Sequence, residues 1–136
     1  MSGKRPIRGL LDTSIFIALE EGRPLRQEGI PKQSTISVVT RAELRVGVLA
    51  ANDLESRDLR IATFEASGRF AALPIDGEVA RAWSQMRAYL AASSGRVRVN
   101  DMWIAATAAA YEMPVLTQDG DFDALNGVAG LTVVPA

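Results

Sequence analysis

Four acids in this 136-residue chain stand where carboxylates do chemistry: Asp12, Glu43, Asp101 and Asp119. Asp12 closes a short apolar run, Glu43 and Asp101 stand near the starts of two apolar helical stretches, and Asp119 follows a strand-like run by two residues. Carboxylates drawn close together raise one another's pKa and each resists desolvation, a conflict that a divalent cation relieves. Mg²⁺ suits such a set because it takes oxygen ligands, keeps several waters, and binds through a few carboxylates together with a substrate phosphate. The chain has no histidine and no cysteine. That excludes imidazole bases, Ser-His-Asp triads, thiolate nucleophiles, disulfides and Cys- or His-ligated zinc. A carboxylate site with a hard cation is the leading enzymatic option.

Short elements must carry these acids. Residues 7–11 form an apolar run that ends on Asp12 and leads into a helix over 13–19, stopped at Glu20-Glu21-Gly22-Arg23-Pro24. Residues 35–39 suit a second strand, and Thr40-x-x-Glu43 reads as a capping box opening a helix over 40–49. A longer helix over 53–70 precedes a short strand at 71–75. Asp76 then caps a helix whose Val79, Trp83, Met86 and Leu90 share one stripe. Ser93-Ser94-Gly95 ends it, and Asn100 or Asp101 caps a nearly all-apolar helix over 102–111, which is expected at the centre of the molecule. Strands at 114–117 and 131–134 follow. Short apolar strands alternating with helices predict an α/β fold, a parallel sheet covered on both faces, in a single domain over 1–136. In such a sheet ligands collect beyond the carboxyl ends of the strands, where strand order reverses, and all four acids are expected at that mouth.

Taken singly, each acid has an ordinary structural role. Asp12 before Thr-Ser is a helix cap, Glu43 is the last place of a capping box, Asp101 caps a helix beside Asn100, and Asp119-Gly120-Asp121 is turn chemistry. The combination is what carries force. Leu10-Leu11-Asp12-Thr13-Ser14, Thr40-Arg41-Ala42-Glu43-Leu44, Asn100-Asp101-Met102-Trp103-Ile104-Ala105-Ala106-Thr107-Ala108 and Leu116-Thr117-Gln118-Asp119-Gly120-Asp121-Phe122 together resemble a PIN domain, in order and in spacing. The resemblance runs from Ile7 to Val134 and is closest to the VapC-type toxins of bacterial toxin-antitoxin pairs.

That resemblance implies a small metal-dependent ribonuclease: a parallel sheet of four or five strands, helices on both sides, and an acidic quartet of Asp12, Glu43, Asp101 and Asp119 binding Mg²⁺ or Mn²⁺. The family's fourth acid falls at either the first or a later acidic position of the Thr-x-Asp-x-x-Phe turn, and both Asp119 and Asp121 are present. Asp119, nearest the strand end, is the expected ligand, with Asp121 in an outer position. Thr13, Ser14 and Thr117 are expected to orient carboxylates or metal waters, a role they share with helix capping and strand ends.

The reaction implied is metal-assisted hydrolysis of a phosphodiester, with Asp12 and Asp101 as principal ligands. Glu43 then serves through water or accepts the nucleophile's proton, and Asp119 anchors a second or weaker metal; one ion or two remains open. Single-stranded or looped RNA, whether tRNA, rRNA or mRNA, is the implied substrate. Acidic and basic residues number 16 and 15, so phosphate contacts must come from a local patch. Arg41 and Arg45 bracket Glu43, and Arg96 and Arg98 approach Asp101, which makes these four the candidates. Trp103 belongs to the core rather than to a stacked base.

An antitoxin whose tail occupies the acidic groove, and a homodimer, also follow from the resemblance; the helices spanning 53–70 and 79–90, with apolar residues beyond core needs, are the candidate interface. No apolar run reaches the roughly 18 residues of a membrane span, and Asp12, Glu20 and Glu21 interrupt any signal-like stretch, so a cytoplasmic protein is expected. A phosphatase of the Asp-x-Asp type needs an acid where Ser14 stands. A phosphoacceptor receiver needs a late lysine, whereas the lysines are Lys4 and Lys32. The alternative from another class is a PIN-like protein-binding module with weak or no nuclease activity, against which four intact acids count.

Overall fold

The computed structural model describes residues 7–26 and 30–136. Five short strands, β1 (Arg8–Leu11), β2 (Gln33–Ser37), β3 (Ala71–Leu73), β4 (Val115–Thr117) and β5 (Val133–Pro135), form one sheet in the order β3-β2-β1-β4-β5. Every pairing is parallel, and the register sets Leu10 beside Val115 and Leu11 beside Leu116. Successive strand side chains point to opposite faces, so each strand needs apolar residues at consecutive positions when both faces are covered. Leu10 and Val115 enter one core, with α4 (Gly77–Ser93), α5 (Val99–Ala110) and Phe122. Leu11 and Leu116 enter the other, with Ile15 and Phe16 of α1 (Thr13–Glu20) and Leu44 of α2 (Val38–Leu49). Phe64 of α3 (Leu54–Ser67) packs on this second core. The expected α/β architecture with helices on both faces is therefore the one observed.

The expected helix boundaries hold less well, for local reasons. Ser37, fully buried, accepts a hydrogen bond from Val39 N at 3.0 Å and starts α2 at Val38, ahead of the expected Thr40. The strand expected through residue 39 therefore ends at Ser37, and Thr40 is not a cap. Ser37→Ala removes that acceptor, with an expected loss of about 1 kcal/mol in urea unfolding; an unchanged midpoint would show that the cap contributes nothing. Helix α5 begins at Val99, with Arg98 at the cap position and no side-chain cap bond, so neither Asn100 nor Asp101 has the expected capping role. A six-residue 3₁₀ segment, Gly120–Leu125, occupies the stretch after β4 and buries Phe122 and Leu125. Among the described residues no helix is long and apolar enough to cross a membrane.

Candidate active site

Strand β1 is central, and the order runs outward from it in opposite directions through β2 and β4. The crevice of such a sheet opens beyond the carboxyl ends of those strands. Asp12 follows β1 immediately, and its amide donates to Leu116 O of β4 at 2.9 Å, which pins the acid across the switch point. Its Oδ2 accepts from Thr117 Oγ1 at 2.9 Å and from Ser14 N at 3.2 Å, so the cap of α1 is also a residue of the crevice. Because the single Thr117 hydroxyl proton goes to Asp12, Ser14 is the donor in the 3.2 Å contact between Ser14 Oγ and Thr117 Oγ1. Thr117 Oγ1 accepts from Asp119 N, and Ser14 Oγ accepts from Gln118 N, each at 2.9 Å. Ser14 and Thr117 thus tie the ends of β1 and β4 together directly beneath the acids.

Glu43 lies two turns into α2, where the displaced helix start frees it from the capping box. The Thr13 hydroxyl donates to Glu43 Oε1 at 2.6 Å and lies 3.0 Å from Thr40 Oγ1, while Asn100 Nδ2 donates to Glu43 Oε2 at 3.3 Å. Asn100 is a contributor that sequence reasoning took for a helix cap; the only sign of it was an amide next to an acid at a helix start.

Asp101 is 8% exposed in the first turn of α5, and its Oδ2 accepts no hydrogen bond among the described residues. Burial foremost, then the charges of Asp12 and Asp119, push its carboxyl up to about 7, against the opposing pull of Arg98 and with a further push from Glu43. Burial likewise raises the Asp12 carboxyl, partly offset by hydrogen bonds from Ser14 and Thr117. Asp12, Glu43, Asp101 and Asp119 therefore lie in one electrostatic neighbourhood. Asp101, Asp119 and Asp121 each place a carboxylate oxygen within 4.8 Å of the others. Asp121 thus joins the close cluster rather than an outer position. Asp119 also accepts from Asp121 N at 2.9 Å, which shapes the turn that carries both.

The donor set is oxygen only, and it contains a buried carboxylate oxygen without a hydrogen-bond donor. Both properties fit a hard divalent cation.

Of the four arginines expected beside phosphate, Arg98 alone pairs with the acids, at 3.6 Å from Asp101, 3.3 Å from Asp119 and 3.8 Å from Asp121. Arg41 does not face them: its guanidinium donates to Ser67 O and Phe70 O. Arg45 lies over the Phe64 ring, 5.9 Å from its centroid. Residues two apart on a helix do not share a face, so flanking Glu43 in sequence turned both away from it. Arg96 lines a separate cleft of about 390 Å³ with Trp83, Leu90 and Met102. Trp103 stacks on Trp83 with centroids 4.9 Å apart, in keeping with its expected place in the core.

A PIN-domain family model matches residues 9–128. Ribonuclease VapC5 of Mycobacterium tuberculosis is 50% identical over 129 residues, covering 95% of this chain and 96% of that protein. Ribonuclease VapC4 of the same organism is 43% identical over 128 residues, covering 93% and 97%. Among solved structures, VapBC-5 of M. tuberculosis, a member of the VapBC family of toxin-antitoxin systems, matches with a TM-score of 0.89 and 47% identity. That match covers 96% of this chain and all of the matched one.

Proposed function

Since the chain belongs to the PIN-domain family as a VapC-type ribonuclease toxin, we propose that it is a Mg²⁺- or Mn²⁺-dependent endoribonuclease held inactive by a cognate antitoxin. The observation that carries this reading is the buried Asp101 carboxylate, lacking a hydrogen-bond donor among the described residues and raised to about 7 amid Asp12, Glu43 and Asp119. Asp12 and Asp101 are the principal ligands of the cation, supported by the electrostatic coupling between them, and Asp119 and Asp121 complete the cluster around Asp101. When bound, the cation activates water and offsets the phosphodiester's negative charge. Glu43, fixed from both sides by Thr13 and Asn100, accepts the nucleophile's proton. Ser14 and Thr117 keep Asp12 oriented, and Arg98 is the cation nearest the attacked phosphate.

The substrate class is RNA, single-stranded or looped as the family likeness implies, a reading supported by the naming of the relatives VapC5 and VapC4 as ribonucleases. The expected homodimer uses α3 and α4, where Leu54, Leu59 and Tyr89 are exposed, and the site of action is the cytoplasm. Brief induction of the wild type and of Asp12→Asn in a bacterial host, followed by mapping of RNA ends, is expected to yield discrete new ends with the wild type alone. With purified protein, chelation by EDTA is expected to stop cleavage and added Mn²⁺ to restore it. Equal cleavage by Asp12→Asn overturns the role given to the acids, and intact RNA with both proteins favours a binding module.

A further inference from the structure

Arg98 stands where a helix asks for something else. The cap position favours Ser, Thr, Asp or Asn, and the positive end of the helix dipole disfavours a cation there. Arg98 makes no side-chain cap bond, yet its backbone is anchored, because its carbonyl accepts from Met102 N at 3.0 Å. Its side chain is 74% exposed and reaches over the first turn of α5 to the Oδ2 atoms of Asp101, Asp119 and Asp121 together. These are the same three carboxylates whose oxygens converge within 4.8 Å.

The contacts are loose. Charge-assisted hydrogen bonds settle at about 2.7–2.9 Å, whereas these three span 3.3–3.8 Å, and Asp101 Oδ2 remains without a hydrogen bond among the described residues. One guanidinium charge cannot neutralise three carboxylates. The guanidinium is bidentate to none of the three carboxylates and stays exposed, unlike the arginine of a fixed buried bridge.

We propose that Arg98 is a built-in counter-ion that competes with a divalent ion for the acidic cluster and is displaced when that ion binds. The proposal rests on the metal-dependent reading given above and adds to it a competitor within the chain. Displacement leaves the exposed guanidinium tethered at the rim of the acidic cluster, free to meet the phosphate of an RNA that completes the site. Metal loading and substrate capture are thereby coupled through one side chain. The guanidinium partly screens the cluster, which lowers its affinity for ions and ties loading to the presence of a polyanion.

Mn²⁺ binding to the purified chain without RNA, measured by calorimetry for wild type, Arg98→Ala and Arg23→Ala, tests this directly. Arg23→Ala removes the same charge from a surface pair with Glu21. Arg98→Ala is expected to bind Mn²⁺ about two- to fivefold more tightly, the span of a largely exposed ion pair, while Arg23→Ala matches the wild type. A single-stranded oligoribonucleotide is expected to tighten Mn²⁺ binding to the wild type and to do so less for Arg98→Ala. Equal or weaker Mn²⁺ binding by Arg98→Ala overturns the counter-ion role and leaves the metal-dependent reading standing. No Mn²⁺ binding by any of the three overturns both.

Discussion

Asp101→Asn is expected to lose RNA cleavage by at least about 100-fold, as removal of a direct ligand should exceed the usual effect of its supporting contacts, and to melt higher than the wild type at pH 8 in EDTA. The second effect follows from the pKa. The folded-state value of about 7 lies above the ordinary aspartate value of 3.8, so the folded chain binds this proton more tightly than the unfolded one. Stability therefore falls as pH rises through the interval from about 4 to about 7, and the full penalty stands at pH 8. Asparagine keeps the shape and removes the charge. Each unit is worth about 1.4 kcal/mol, and solvent screening at an open mouth reduces the total gain to about 2 kcal/mol. A rise of about 5–10 °C in melting temperature is expected at pH 8, shrinking to nothing near pH 4. Equal melting at pH 8 would mean that neither burial nor the neighbouring carboxylates penalise the charged Asp101 in the folded state.

Phe122→Ala is expected to destabilise the chain by about 3–5 kcal/mol, the range for emptying a buried aromatic site. Phe122 is fully buried in the core built on α4 and α5, and it is part of the 3₁₀ segment that carries Asp121 and follows Asp119. Its amide donates to Asp119 O at 3.3 Å, so losing the ring loosens the turn holding two of the three clustered acids. Weaker Mn²⁺ binding should accompany the lower urea midpoint. Phe122→Leu, which keeps most of the volume, is expected to cost less than about 1.5 kcal/mol. A loss below that bound with alanine would show that the turn holds itself.

Much of this was legible beforehand because the strands are short, apolar on consecutive residues and closed by acids. Asp12 could be placed at a strand end for that reason, and Asp119 because Thr117 ends β4 two residues earlier. Glu43 was harder, since Thr40-x-x-Glu43 imitates a capping box until Ser37 is seen to cap α2 instead. The same kind of displacement hid the bond from Asn100 to Glu43 and, for Arg98, expected only beside Asp101, its pairing with Asp119 and Asp121. An arginine at a cap position has no propensity to announce it, and its partners Asp119 and Asp121 lie more than twenty residues away in sequence. Arg41 misled for the opposite reason: adjacency along the chain placed it near Glu43, while helical geometry turned it toward the end of α3.

The hydrogen bond from Thr117 to Asp12 spans 105 residues. A chain leaving the ribosome at about 5–20 residues per second displays Asp12 and Glu43 well before β4 emerges to fasten the first of them. Until that strand and β5 have joined the sheet, the carboxylates share no common floor and the cleft has one wall. The acidic mouth is consequently the last part of the molecule to be completed, when nearly the whole chain has been made.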